Sequence, residues 1–275
     1  MRTLAGKVAV VTGGGSGIGE ALVQAFAEAG MQVAVADIEE EKAIAVARRH
    51  SAAGARCIGM PVDVAQGDSV RALADRCEAE LGAVHLLCNN AGVLLMGPQR
   101  DMIAGDWRWT FDVNVMGIAH GLEHFLPRMR AHGEPAHVVN TASVTGLRGA
   151  SGTFVYSATK AAVLSISESL REELAGTPIG VSVVLPSAIR SQIVASQRNR
   201  PDGSGRTHRQ SVDPEVAARH GISPRAVGIR VREGVLREAF YIFAMPPESL
   251  APNRAAIEER TAELLAALES GVIEA

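Results

Sequence analysis

Lys7-Val8-Ala9-Val10-Val11-Thr12, running straight into Gly13-Gly14-Gly15-Ser16-Gly17-Ile18-Gly19, is the stretch that decides the fold. Its first six residues form a short apolar run suited to a strand buried on both faces of a parallel sheet. Apolar residues then recur at Ile18, Leu22, Ala25, Phe26 and Ala29, the spacing of one helix face, until Gly30 stops the helix. Strand, glycine turn and helix in that order aim backbone N–H groups and a helix N-terminus at one point, where a dinucleotide pyrophosphate is held. The spacing is Gly-x-x-x-Gly-x-Gly rather than the commoner Gly-x-Gly-x-x-Gly. A glycine turn alone is often only a tight loop; the flanking strand and helix make this one a binding turn. Gly13, Gly15, Ser16, Gly17, Ile18 and Gly19 are its candidate contacts.

Moving outward, Gln32 to Asp37 predicts a second strand ending in a carboxylate about 20 residues past the glycines, where a ribose-binding acid belongs. Asp37 would accept hydrogen bonds from a free 2′-hydroxyl and repel a 2′-phosphate. Neither Ser16 nor Ile38 supplies a basic group for such a phosphate, so NAD is favoured over NADP. A third apolar run precedes Asp63-Val64, and a fourth, Val84 to Cys88, precedes Asn89-Asn90-Ala91-Gly92. A fifth, His137 to Thr141, leads to Ser143. Further on, Tyr156 and Lys160 stand four residues apart, which makes them neighbours on one helical face. A free tyrosine has a pKa of about 10. A neighbouring cation favours its charged form, so Lys160, with a second cation such as an oxidised nicotinamide ring, is expected to bias Tyr156 toward phenolate. An isolated Tyr-x-x-x-Lys pair is usually solvated surface; here it stands in a chain with a dinucleotide turn.

With Asn114 in Asp112-Val113-Asn114-Val115, these motifs resemble the short-chain dehydrogenase/reductase family, in the family's order and spacing, from about residue 5 to about 245. The resemblance implies a catalytic tetrad of Asn114, Ser143, Tyr156 and Lys160. It also implies adenine contacts from Asp63 and Val64, a strand-bracing Asn90 beside Ala91 and Gly92, and a helix-pair dimer contact, often within a tetramer. The chemistry is coherent on its own terms. Ser143 can donate to a substrate oxygen, Tyr156 can exchange the hydroxyl proton, Lys160 can hold ribose hydroxyls, and Asn114 can kink its helix and hold a water. The chain departs from the family after the sixth strand. There Leu185-Pro186-Ser187-Ala188-Ile189-Arg190-Ser191 has serine in place of the usual glycine, and Ser191 in place of a threonine that binds the carboxamide. Pro186, Ser187, Ile189 and Ser191 are the expected cofactor contacts in this run. The run and the polar insert after it look most like a subgroup containing the Cα-dehydrogenases of lignin-dimer breakdown.

At 275 residues and 47% hydrophobic content, the chain can bury the core of a doubly wound, Rossmann-like α/β sheet. One domain over 1–275 is expected, with a substrate-loop insert at about 190–222 and a C-terminal helix at about 253–270. A net charge of −3 gives no general attraction to nucleic acid. The apolar runs fall far short of the ~20 residues needed to span a bilayer. The first strand begins too early to leave room for a signal peptide. Cys57, Cys77 and Cys88, three in number and without Cys-x-x-Cys spacing, suggest a reduced, cytoplasmic chain. His120 and His124 share a helix face, but His-Glu-x-x-His is absent, so no metal is expected. In the insert, Arg190, Arg198, Arg200, Arg206 and Arg209 outnumber the acids, Asp202 among them, which reads as a solvated loop or as a lid closing Ile189, Ile193 and Val194 over the nicotinamide. Leu94, Met96, Val144, Leu147, Val155, Ile189 and Ile193 would make a mostly apolar substrate wall. The expected activity is NAD-dependent interconversion of a hydrophobic or aromatic secondary alcohol and its ketone by a homodimer or homotetramer. The rivals are an epimerase or dehydratase using the same tyrosine and lysine, or a cofactor-binding regulator without turnover.

Overall fold

The computed structural model describes residues 1–201 and 221–271. Its centre is a seven-stranded sheet in the order β3-β2-β1-β4-β5-β6-β7 with every pairing parallel. The strands are β1 (Val8–Thr12), β2 (Gln32–Asp37), β3 (Cys57–Pro61), β4 (Val84–Asn89), β5 (Ala136–Thr141), β6 (Ile179–Pro186) and β7 (Tyr241–Ala244). The inner strands β1, β4 and β5 are buried at every position, which explains why they are unbroken apolar runs rather than alternating ones. The chain builds outward from β1 to β3, then returns to place β4 against β1 on the other side. Connections leaving β1 and β4 therefore diverge, and a crevice opens beyond their C-terminal ends.

Helices cover both faces. On one, α1 (Gly17–Glu28), α2 (Glu40–Ala52) and α7 (Pro224–Leu236) pack Leu22, Phe26, Val46, Val227 and Val231 against Val11, Val33 and Val35 of the sheet. On the other, α3 (Gly67–Leu81), α5 (Gly117–His132) and α6 (Phe154–Glu173) pack Leu73, Phe125, Met129 and Leu170 against Val10, Leu87 and Val138. A shorter α4 (Ala104–Phe111) runs into α5 through a π-helical turn, Asp112–Met116. The helix α6 continues for 20 residues because it contains neither glycine nor proline.

The C-terminal helix α8 (Leu250–Ser270) starts a few residues earlier than the sequence suggests and has no buried residue. It is less uniformly polar than expected, with Leu250, Leu264, Leu265 and Leu268 exposed. The three cysteines are free and buried. No described helix is long and apolar enough to cross a membrane, and the described residues contain no cluster of metal-ligating side chains. His120 donates through Nδ1 to the Val64 carbonyl at 2.9 Å, a structural contact. Of the insert's charged residues, Asp202, Arg206 and Arg209 lie outside the described residues.

Candidate active site

A long cleft lies over the C-terminal ends of β1, β2 and β4, and the glycine turn forms its floor. Gly13, Ser16, Gly17, Ile18 and Gly19 all line it. Two of the glycines are required by geometry. Gly17 has a φ of 57°, a region side chains disfavour. At Gly19 an added Cβ would lie 1.9 Å from the Gly13 carbonyl oxygen, so only glycine lets the turn fold back on itself. Ser16, the N-cap of α1, is extended and makes no side-chain capping bond, which leaves the first N–H groups of the helix for an anion. Gly15 stands behind the wall; its N–H donates to Asp37 Oδ2 at 2.9 Å. The other oxygen, Oδ1, accepts the Glu39 N–H at 2.9 Å, so backbone fixes the carboxylate at the end of β2. Asp37 and Ile38 line the cleft, as do Asp63 and Val64 after β3.

Side chains tie the central strands together just beneath this floor. Asn90 donates through Nδ2 to the Thr12 carbonyl at 3.0 Å and accepts from Thr141 Oγ1 at 3.3 Å, linking β1, β4 and β5. Thr12 Oγ1, which the sequence did not single out, accepts the N–H groups of Asn90 and Ala91 at 3.0 and 3.1 Å. Ala91 and Gly92 continue the cleft wall past these ties.

At the far end, α6 presents Tyr156 and Lys160 to the cleft, and Ser143, two residues past β5 and not itself on the cleft wall, hydrogen-bonds to Tyr156. Lys160 is buried and donates through Nζ to the Thr141 carbonyl at 2.8 Å, with the ammonium 5.6 Å from the Tyr156 ring centroid. Burial lowers its pKa to about 8. Tyr156 as a residue keeps some exposure to the cleft, yet burial of its hydroxyl pushes the phenol up to about 12, against a smaller lowering by the Ser143 hydrogen bond. Lys160 by itself does not lower the phenol: the ammonium faces a carbonyl and the ring, and the loss of water outweighs it. Ser143 is buried, accepts the Thr145 N–H at 3.2 Å and donates to the Pro186 carbonyl at 3.4 Å. Asn114 sits behind this group in the π-helical turn, 1% exposed. Its carboxamide accepts the Val93 N–H at 2.8 Å and donates to the Val93 carbonyl and to Thr159 Oγ1, both at 3.0 Å. A π-helical turn interrupts the helix at this point, and the side chain is held by protein partners.

The model for "short chain dehydrogenase" matches residues 7–202 of the chain. The chain belongs to the short-chain dehydrogenase family. Among its relatives, the "C alpha-dehydrogenase" of Sphingobium sp. strain SYK-6 is 33% identical over 252 residues, covering 90% of this chain and 83% of that protein. The "1-deoxy-11-beta-hydroxypentalenate dehydrogenase" of Streptomyces exfoliatus is 35% identical over 201 residues, 72% of this chain and 73% of the other. A crystal structure of a short-chain dehydrogenase/reductase from Burkholderia phymatum in complex with NAD superposes with a TM-score of 0.87 at 36% identity, covering 96% of this chain and 97% of that one.

In this short-chain dehydrogenase a strap, residues 191–201, crosses above the cleft, and Ser191, Ile193, Ser196, Arg198, Asn199 and Pro201 face it. Three fasteners hold the strap. Ser196 Oγ accepts the Leu94 N–H at 2.9 Å and donates to the Leu94 carbonyl at 3.2 Å. Arg198 and Asn199 reach Glu39 at the end of β2, with Arg198 Nε and Nη2 at 2.7 and 2.6 Å and Asn199 Nδ2 at 3.1 Å from Oε1. Arg200 pairs with Asp106 of α4 at 2.6 Å, both side chains almost fully buried. Arg198 and Arg200 are thus neither simply solvated nor aimed at a substrate: their partners come from distant parts of the chain. Burial pushes the Glu39 carboxyl up, but bonds from Lys42, Asn199 and Arg198 prevail and hold it at about 2.

The remaining candidates divide. Pro186 lines the cleft. Ser187 turns away, its N–H bonded to the Ala244 carbonyl, and Ile189 packs into the core with Ile222. Leu94 serves the strap through its backbone, and Val144 and Leu147 pack against the cluster beneath β6. Val155 is completely buried and Met96 is half-buried outside the wall, so neither forms part of the cleft surface. The apolar wall near Tyr156 comes instead from Val93, Trp109, Val113 and Ile193. Only Ile193 of these was expected. Trp109 and Val113 stand four positions apart on the helical run leading to Asn114, and that spacing was the available signal.

Proposed function

We propose that this oxidoreductase interconverts a secondary alcohol and a ketone, with NAD bound along the cleft. The observation that carries the reading is the arrangement of one cleft: uncapped helix N–H groups and Asp37 at one end, Ser143, Tyr156 and Lys160 at the other. That donor set fits a dinucleotide. N–H groups suit a pyrophosphate, and a fixed carboxylate suits ribose hydroxyls. The bound nicotinamide supplies the hydride acceptor or donor. The protein residues handle the proton and the geometry. Tyr156 takes or gives the hydroxyl proton at its phenolic oxygen. Ser143 turns its hydroxyl to the substrate oxygen, and Lys160 holds ribose hydroxyls while adding positive charge near the phenol. Asn114 fixes the π-helical turn beside them, where a water can link Lys160 to solvent. The wall of Val93, Trp109, Val113 and Ile193 supports a hydrophobic or aromatic substrate, and the two relatives named above are dehydrogenases by their names.

Self-association fits the exposed apolar surface near α4 and α6. Met116 and Phe154 are 43% and 49% exposed, and Trp107 contacts both Phe111 and Phe154 by ring faces and edges. A homodimer or homotetramer would cover them, and a monomer by light scattering would refute this. Free buried cysteines support a reducing, cytoplasmic setting.

Tyr156→Phe tests the chemistry. Removing the exchangeable proton should lower kcat by about 10²–10⁴-fold, while NAD still binds. Because the phenol sits near 12 before the cofactor binds, alcohol oxidation should rise with pH over the alkaline range, as the fraction of phenolate grows. Near-normal turnover in the mutant, or a flat profile in the wild type, would move the proton transfer to another group.

A further inference from the structure

We infer that Glu39 is a second determinant of cofactor choice, acting by engaging the cations that would otherwise receive a 2′-phosphate. This rests on the reading that the cleft takes a nicotinamide dinucleotide with NAD preferred. The sequence places no basic residue beside Asp37, but the fold brings two. Arg198 descends from the strap and lines the same cleft as Asp37 and Ile38. Lys42 rises from the first turn of α2, and a Cβ built on Gly15 would meet both Asp37 Oδ2 and Lys42 Cβ at 2.9 Å, so Lys42 adjoins the acid.

Both cations end on one carboxylate. Arg198 contacts Glu39 Oε1 through two nitrogens, at 2.7 and 2.6 Å, and Lys42 Nζ pairs with Oε2. Asn199 adds a further bond to Oε1 at 3.1 Å. An arginine fork and a lysine ammonium next to a ribose site are the groups that recognise a phosphate monoester. Here Glu39 neutralises them and holds the arginine fork in an ion pair. The 2′ position is therefore guarded twice: Asp37 repels a phosphate directly, and Glu39 withholds the charges that would compensate.

The competing account is that Glu39 only fastens the strap. The two accounts predict different patterns. A fastener supports every ligand beneath the strap alike, so its loss weakens NAD and NADP by the same factor. A charge sink discriminates, and its removal helps only the phosphorylated cofactor.

The test measures dissociation constants for NAD and NADP by calorimetry on the full-length chain in four forms: wild type, Asp37→Ser, Glu39→Gln, and both together. Glu39→Gln keeps the shape and hydrogen bonding and removes the charge. Against the Asp37→Ser background it should tighten NADP by about tenfold or more, the scale of one hydrogen bond to a charged group, and move NAD by less than about threefold. Adding Arg198→Met to the double variant should reverse the gain, which ties it to that guanidinium. NADP affinity unchanged by Glu39→Gln on the Asp37→Ser background, or NAD and NADP shifted by an equal factor, would overturn the proposal. A wild type that binds NADP at least as well as NAD would refute the NAD reading instead. The Glu39 effect would still be read from the two proteins that differ only there.

Discussion

The glycine turn and the strap face each other across one cleft but are built on different principles. The turn works through backbone groups, steadied by the side chains of Asp37 and Asn90. Its shape follows from residues within seven positions of one another, and its working groups are N–H donors that no substitution short of a new Cβ disturbs. Side chains make the strap. It lies over the cleft only because Ser196, Arg198, Asn199 and Arg200 each find a partner on another element. A binding surface made from backbone is fixed when the sheet forms. One made from side-chain fasteners can be opened one contact at a time, the property needed where ligands enter and leave.

Selective damage to each region should expose this difference. The largest effect is expected at Arg200→Met. Asp106 is completely buried and also accepts the Ile103 N–H through Oδ2 at 2.9 Å. Removing its ion-pair partner should cost about 3–5 kcal/mol of stability, the range for breaking a buried pair from one side. Urea denaturation measures it, and a loss under about 1 kcal/mol would mean that the pair does not anchor the strap. Next comes Gly19→Val. Crowding against the Gly13 carbonyl should cost about 3 kcal/mol, read as roughly a hundredfold weaker NAD binding with the strap unaltered by hydrogen exchange. Retained affinity would show that the turn has freedom its geometry denies. Asp37→Ala should follow, narrowing the preference for NAD over NADP in kcat/KM; equal use of both cofactors by the wild type would remove that assignment. The smallest change is expected at Ser196→Ala. It deletes one side chain with two bonds to Leu94 and should lower stability by about 1 kcal/mol, with faster exchange confined to the strap. Exchange that quickens equally in the turn would erase the contrast.

The same contrast explains what could be read from the sequence. The glycine turn, Asp37 and the Tyr156–Lys160 pair were legible because each depends on spacing within one strand, turn or helix. The doubly wound sheet followed, since alternating strands and helices leave few ways to wind parallel strands. The strap's fasteners were not legible. Arg198 and Glu39 are 159 positions apart, and Arg200 and Asp106 are 94 apart. No local pattern marks either pair, so charges that are engaged looked solvated. Asn114 was singled out by its motif, but its bonds to Val93 and Thr159 depend on how the π-helical turn rotates it inward. The upward shift of Tyr156 in the cofactor-free cleft was not legible, because sequence shows a neighbouring cation and hides the removal of water.

The three thiols give the molecule a built-in set of clocks. Burial raises Cys57 to about 11 and Cys77 to about 12, and lifts Cys88 higher still. At neutral pH an alkylating reagent therefore meets almost no thiolate until the chain opens. The sites sample different depths: Cys57 begins the outermost strand β3, Cys77 lies on α3, and Cys88 is in the central strand β4. Labelling followed by mass spectrometry would time the release of the sheet edge separately from that of its centre. A bound dinucleotide that spans β1, β2 and β4 should slow the innermost clock more than the outermost.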